Sequence, residues 1–249
     1  LFLGAPLQTA LGLVEDGSLG VPLSASGHLA LPAPETWHPD PESFYLAGNG
    51  GGPLYDGVPS LLAALVTLLG PLAAVTGSLR TPLRERTVTS EKKQGTTIPV
   101  EVPTHVTALL DFATGAAATI TASYDIPHHR QPALEIHGTE GSLSVATFEE
   151  GPVFLRRKDD PLWREIPPAY AAPALNPGVV GKGLGLADLA AALIMDRPHR
   201  AAADLALHGL DALLTLARAS EEGVRMAVES RCGRPEALPP GIAPGEIVV

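Results

Sequence analysis

The chain has 249 residues, 45% of them apolar, a formal net charge of −10 and a single cysteine. That is enough apolar material for a self-sufficient core, which excludes a disordered chain and a small scaffold stapled by disulfides. The negative charge repels the phosphates of a nucleic acid, and Cys232 alone makes neither an intrachain disulfide nor a cysteine-rich metal site.

A reducing, cytoplasmic compartment is therefore expected, with no nucleic-acid or membrane partner. The apolar opening stretch lacks the basic residues of a signal peptide. The apolar run 58–75 approaches the length of a membrane span, but Gly70-Pro71 interrupts it, and a buried helix is the better reading.

In chain order, Leu7, Leu11 and Val14 predict a helix over 7–16, stopped by Gly17. Residues 21–31 read as a strand. Residues 32–53 form a long loop rich in proline, glycine and aromatics. An apolar helix over 55–69 follows, with Asp56 at or near its N-cap and Pro59 in its first turn. Residues 75–79 read as a strand. Residues 80–103 are polar and threonine-rich without a period, and read as a connection.

The clearest β signal comes next. Val106, Ala108, Leu110 and Phe112 alternate with second-face residues, Thr114-Gly115 turns, and Ala118, Ile120, Ala122 and Tyr124 alternate with Thr119, Thr121 and Ser123. This is a hairpin with one buried face. A second hairpin spans 134–145 around Gly138-Thr139-Glu140-Gly141, and 153–157 with 163–166 suggest an outer pair. A long loop covers 167–181. Helices are expected over 184–195 (Leu186, Leu189, Leu193, Ile194 on one face) and 203–222 (Leu207, Leu210, Leu214, Ala217), then a proline-rich tail over 234–249. Consecutive hairpins with helices at both ends imply an α+β fold: a large, mostly antiparallel sheet with helices 55–69, 184–195 and 203–222 on one face.

Chemistry concentrates around residues 37–70. Asp56 sits where a glycine-rich loop meets an apolar helix. It suits a carboxylate that accepts hydrogen bonds from substrate hydroxyls, and it equally suits an ordinary helix cap worth about 1 kcal/mol. Trp37, Phe44 and Tyr45 offer faces for a sugar or cyclitol ring, or pack the loop on the core. Gly50-Gly51-Gly52 lacks the G-K-[ST] of a phosphate loop. Gly181-Lys182-Gly183-Leu184-Gly185 follows no strand, so it is no dinucleotide fingerprint; it brings Lys182 toward a ligand or simply enters a helix. His28, His38 and His105 begin or precede elements and are placed to converge, or are ordinary structural histidines. His128-His129 is adjacent rather than i, i+4, and no metal site is expected. No serine stands between paired glycines, so hydrolase chemistry has no warrant.

The segment Gly50 to Ser60 closely resembles the G-G-G-x-L-x-D-x-G-x-H segment of the Gfo/Idh/MocA family of NAD(P)-dependent oxidoreductases. The likeness extends to Leu1-Phe2-Leu3-Gly4 with Gln8, to Trp37-His38-Pro39 and Phe44-Tyr45, to Asp111-Phe112-Ala113-Thr114-Gly115-Ala116, to Ile136-His137-Gly138-Thr139-Glu140-Gly141-Ser142-Leu143, and to Gly183–Ala190 with Pro198-His199-Arg200. The resemblance implies one domain over 1–249 like the family's C-terminal domain, which is akin to the glyceraldehyde-3-phosphate dehydrogenase catalytic domain, with 32–53 as substrate loop. It implies that the N-terminal nucleotide-binding domain and its E-K-P lysine are absent from these residues. NAD or NADP is then expected in the intact parent protein, with none bound by this chain alone, and the chain alone is expected to be inactive. It further implies a sugar, polyol or related carbonyl compound as substrate and homo-oligomers through the sheet face. Mapped residue by residue, the resemblance implies Asp56 as catalytic and substrate-binding, and Trp37, His38, Tyr45, Gly51 and Gly52 as substrate-binding; Lys182 joins the substrate-binding candidates from its place in the glycine-rich loop alone. Ser60 stands at the family's histidine position, and a hydroxyl is no acid–base group near neutrality. That substitution keeps open a non-catalytic binding or assembly domain on the same fold; the resemblance more distantly implies a glycosidase-like branch, since some relatives use NAD transiently to cleave sugars.

Overall fold

The structure, a computed structural model, describes residues 2–170 and 183–239. Its centre is a nine-stranded sheet in the order β10-β9-β8-β7-β1-β6-β5-β2-β11. The strands are β1 (Pro22–Ala30), β2 (Leu72–Arg80), β5 (His105–Phe112), β6 (Ala117–Ser123), β7 (Leu134–Gly138), β8 (Gly141–Val145), β9 (Val153–Arg157), β10 (Arg164–Ile166) and β11 (Met226–Ala227). Every pairing is antiparallel except β1 with β6.

The expected hairpins form with the expected alternation: Val106, Ala108, Leu110 and Phe112 are buried, as are Ala118, Ile120 and Ala122. They are not neighbours, however. β1 inserts between β6 and β7, registering Ser26 beside Thr119 and Ala25 opposite Ile136. The stretch 80–103 is also more ordered than a connection. It holds a small second sheet of β3 (Glu85–Thr87) and β4 (Thr97–Pro99), whose Ile98 packs with Val88, Val100, Tyr45 and Tyr124 in a satellite core.

One face of the large sheet carries the helices α1 (Ala5–Glu15), α3 (Val58–Leu69) and α5 (Ala203–Glu222), which share one continuous core with the inward strand residues. α3 is apolar on nearly every side because it is buried there: Leu61, Leu62, Leu65 and Leu68 are all fully enclosed. Each such leucine contributes roughly 1.5–3 kcal/mol of burial. At 12 residues α3 is shorter than the ~20 needed to span a bilayer.

Three sequence expectations need correction. The helix over 55–69 is two elements: a one-turn α2 (Pro53–Asp56), then Gly57, then α3. Asp56 therefore ends α2 and caps nothing; Gly57 is the N-cap of α3 and supplies no side chain. In α5 the buried stripe is Leu205, Ala212, Leu213, Leu216 and Ala219, while Leu207, Leu210 and Leu214 face outward. The third concerns α4 (Leu184–Met195), which buries Asp188, Ala191 and Ala192 but leaves Leu186, Leu193 and Ile194 exposed at 73%, 76% and 76%. The apolar face expected to cover the sheet is turned away from the core.

Among the described residues the other sheet face carries no helix. Across it run Thr76, Leu109, Thr119, Ser26, Glu135 and Ser144 in one row and Ser78, Thr107, Thr121 and His28 in the next.

Candidate functional site

The loop between β1 and α2 folds as three short 3-10 turns at Pro34–Thr36, Pro41–Phe44 and Ala47–Asn49. It is tied down at several points. Lys93 Nζ donates to Asp40 and Glu42 at 2.7 Å each, the Ala47 N–H donates to Glu101 Oε2 at 3.1 Å, and Ser90 Oγ donates to the His38 carbonyl at 2.9 Å. The glycine triplet closes it by steric necessity. A Cβ on Gly51 would lie 2.5 Å from the Phe44 carbonyl oxygen, and Gly52, at φ 89°, lies against the Pro103 carbonyl while its N–H donates to Phe44 at 2.8 Å.

That closure brings the loop's aromatics to Asp56. Phe44 sits edge-on to Tyr124 (6.4 Å between centroids), to His38 (4.9 Å) and to Trp37 (6.3 Å). Trp37 is 55% exposed and its Nε1 donates to the Pro32 carbonyl at 3.2 Å. His38 is half-buried and its Nδ1 accepts the Asp40 N–H at 3.0 Å. At the other end of this wall the Tyr124 hydroxyl donates to Asp56 Oδ2 at 3.0 Å. Asp56 is exposed, and the buried Tyr124 links it to Phe44. Ser60 is half-buried in the first turn of α3.

Tyr45 plays a different part from the other loop aromatics. It is fully buried, and its hydroxyl donates to Glu35 Oε2. Burial, then the hydrogen bond and charge of Glu35, push its proton release far above the ordinary phenol range. Glu35 Oε1 receives Arg86 Nη1 at 3.2 Å, Arg86 Nη2 pairs with Asp125 Oδ1, and Thr104 Oγ1 donates to Asp125 Oδ2 at 2.7 Å. Glu35 and Arg86 are buried, and Arg86 Nε has no partner among the described residues. The sequence reading missed Glu35, Arg86, Thr104 and Asp125. Tyr124 it placed on the buried strand face, without its hydroxyl's role.

The histidines divide. His28 and His105 share the open sheet face, where His28 lies 4.4 Å from the His129 ring; His38 belongs to the aromatic wall. Burial, then His129 and His105, push His28 below the ordinary imidazole range. No group of three or more metal-ligating side chains occurs among the described residues. Lys182 lies outside the described residues. Among the described residues no strand passes through a short glycine turn directly into a helix.

A nine-stranded sheet with helices on one side, and a glycine-closed loop leading to a carboxylate, defines an α+β domain of the large open-sheet type. The model of the GFO/IDH/MocA C-terminal domain matches residues 7–144, more than half of the chain, and the chain belongs to that family. Solved structures share the fold. An NAD binding oxidoreductase from Klebsiella pneumoniae is 20% identical with a TM-score of 0.74, covering 92% of this chain and 65% of its own. A levoglucosan dehydrogenase in complex with NADH and L-sorbose is 22% identical with a TM-score of 0.71 over the same shares. An aldose-aldose oxidoreductase from Caulobacter crescentus, complexed with glycerol, is 24% identical with a TM-score of 0.64, covering 91% of this chain and 61% of its own. This chain thus spans less than two thirds of the length of these neighbours. No curated protein matches it.

Proposed function

We propose that this chain forms the substrate side of an NAD(P)-dependent oxidoreductase acting on a sugar, polyol or related carbonyl compound. The observation that carries this reading is the exposed Asp56 carboxylate, at the family's aspartate position, joined through Tyr124 to the wall of Phe44, His38 and Trp37. A pyranose or cyclitol offers C–H faces to aromatic rings and hydroxyls to a carboxylate. In this reading Trp37 and His38 contact the ring, Asp56 accepts from its hydroxyls, and Gly51 and Gly52 shape the floor. Tyr45 supports the loop from beneath. Lys182 belongs to the same proposal by sequence alone. The nicotinamide cofactor would be held by residues outside those described.

Neighbours solved in complex with NADH and L-sorbose, or with glycerol, support the substrate class. Ser60 in place of the family's histidine favours a second reading, a non-catalytic binding or assembly domain on this fold. The open sheet face, small and largely uncharged, is proposed as the contact between copies of the chain.

The test is calorimetric titration of the chain with levoglucosan and a panel of polyols, alongside Asp56→Asn and Trp37→Ala. Millimolar or tighter binding that both substitutions weaken is expected. Binding indifferent to both, or none, would overturn the reading. Turnover with NAD(P) by an intact protein carrying this domain separates the catalytic reading from the non-catalytic one.

A further inference from the structure

We propose that Tyr124 is the positioning residue of Asp56, and that the buried Glu35–Arg86–Asp125 cluster locks Tyr124 to the loop carrying the aromatic wall. The inference rests on the reading of Asp56 as the substrate-side carboxylate and adds four residues to it.

Asp56 has little of its own to fix it. It is exposed, it ends a single helical turn, and it caps no helix. A carboxylate on such a turn is free to hop between its χ1 wells and to rotate about its last torsion. Its one side-chain partner among the described residues is the Tyr124 hydroxyl, at 3.0 Å on Oδ2. Tyr124, by contrast, is fixed throughout. It is 2% exposed, its N–H donates to the Thr104 carbonyl at 2.9 Å, and its ring meets Phe44 and Tyr45 edge-on. The next residue's N–H donates to Ser123 Oγ at 3.0 Å, pinning the backbone on the far side. Burial, then the Asp56 charge, push Tyr124 ionisation far up, so the phenol stays a donor at any working pH. One carboxylate oxygen is thereby held by the protein and the other is left for a ligand, which is orientation supplied before binding.

The cluster extends that fixation to the loop. Asp125 follows Tyr124 directly and holds Arg86, whose second arm holds Glu35, and Glu35 takes the Tyr45 hydroxyl. The Glu35 carbonyl also receives the Thr89 and Ser90 N–H groups at 2.9 and 3.1 Å. Buried ion clusters cost desolvation that apolar residues of the same volume avoid, and registry is their best-attested use. Here the registry is between the strand end that aims Tyr124 and the loop that carries Phe44, His38 and Trp37.

Tyr124→Phe keeps the ring and removes only the hydroxyl; Asp125→Asn cuts the cluster while leaving both Tyr124 and Asp56 intact. Three-bond NMR couplings at Asp56 should report one χ1 rotamer in the parent chain and averaging in Tyr124→Phe, with the thermal midpoint nearly unchanged. Asp125→Asn should show partial averaging. Levoglucosan affinity should fall about tenfold in Tyr124→Phe, the scale of one hydrogen bond to a charged group. An Asp56 rotamer unchanged in both variants overturns the proposal, and the second variant decides the matter where the first fails to fold. Rotamer averaging with levoglucosan affinity unchanged in both Tyr124→Phe and Asp56→Asn supports the positioning and overturns the substrate reading beneath it.

Discussion

The imidazole of His208 accepts the backbone N–H of Leu72 at 2.8 Å, across 136 residues of chain. His208 is fully buried on α5, and Leu72 opens β2, so one hydrogen bond fastens the longest helix to the sheet. Ser220 Oγ repeats the strap further along, accepting the Leu79 N–H at 2.8 Å. Because Nε2 is the acceptor, the ring is neutral with its proton on Nδ1, facing Ser230 Oγ at 3.0 Å.

That arrangement makes stability depend on pH. Burial pulls His208 below the ordinary imidazole value, more than Ser230 and Asp211 raise it. The unfolded chain then binds a proton that the folded chain refuses. The stabilising contribution is complete above the unfolded value of about 6.5 and is lost as pH falls toward the folded one. Urea midpoints should therefore drop between pH 7.5 and pH 5.5. His28 is lowered as well and acts in the same direction. His208→Leu should remove part of this slope and cost about 1–3 kcal/mol at pH 7.5, because the Leu72 N–H is left buried without an acceptor. An unchanged slope would show that His208 is not a source of it.

Asp188 is 1% exposed on α4 and collects Arg197 Nη2 at 2.9 Å, the Arg200 N–H at 2.7 Å and Arg200 Nη1 at 2.5 Å. Burial alone would raise its pKa, but the Arg200 and Arg197 hydrogen bonds outweigh burial and the net direction is downward. Its contribution is thus present above the unfolded carboxylate value of about 3.9 and disappears as pH falls through the lower folded one. Asp188→Asn should destabilise by about 3–5 kcal/mol, because the guanidinium of Arg200 stays buried without its counter-charge. Chemical denaturation at neutral pH measures the loss. A cost below about 1 kcal/mol would mean the cluster relaxes into water.

Gly138 opens the turn of the family-like I-x-G-T-x-G-x-L stretch, and its reason is spatial. A Cβ there would stand 2.2 Å from the Leu19 carbonyl oxygen and 3.0 Å from its carbon. The chain leaving α1 presses on the β7–β8 turn at this point, where the Thr139 and Glu140 N–H groups donate to the Val21 and Leu19 carbonyls at 3.1 and 2.9 Å. Gly138→Ala must displace backbone rather than a flexible side chain. A loss of about 1–3 kcal/mol is expected, visible as a lower thermal midpoint. An unaltered midpoint would show that the turn moves aside freely.

The hairpins were legible because alternation fixes a face: Val106, Ala108, Leu110 and Phe112 leave no choice of which side is buried. The insertion of β1 between β6 and β7 leaves no local trace, since a parallel neighbour is chosen by topology rather than by its own residues. α5 misled for a definable reason. It carries two apolar stripes, and periodicity alone does not say whether Leu210 and Leu214 or Leu213 and Leu216 meet the sheet. Asp56 stood out because a glycine triplet and an apolar helix bracket it. The cluster behind it did not, because Arg86 lies 51 residues from Glu35 and 39 from Asp125 in a polar, threonine-rich stretch. A lone arginine there looks like any solvated one until the fold closes over it.

The open sheet face yields the last prediction. Thr121 lies at its middle, between Thr107 on β5 and His28 on β1, with Thr119, Ser26 and Thr76 in the adjoining row. The threonines and serines at its centre would let two sheets approach closely at little polar cost, which is why a second copy related by a two-fold axis is the cover proposed for it. Thr121→Arg adds a long charged side chain at that centre. Thr121 is half-buried on a face with no helix over it among the described residues, so the fold should tolerate the change and circular dichroism should not alter. Light scattering at micromolar concentration should report an oligomer for the parent chain and a monomer for Thr121→Arg. A parent chain that is strictly monomeric, alone and within an intact protein carrying the nucleotide-binding domain, would remove the sheet face as a contact. An oligomer indifferent to Thr121→Arg would place the contact elsewhere, with the exposed leucines of α4 the next surface to probe.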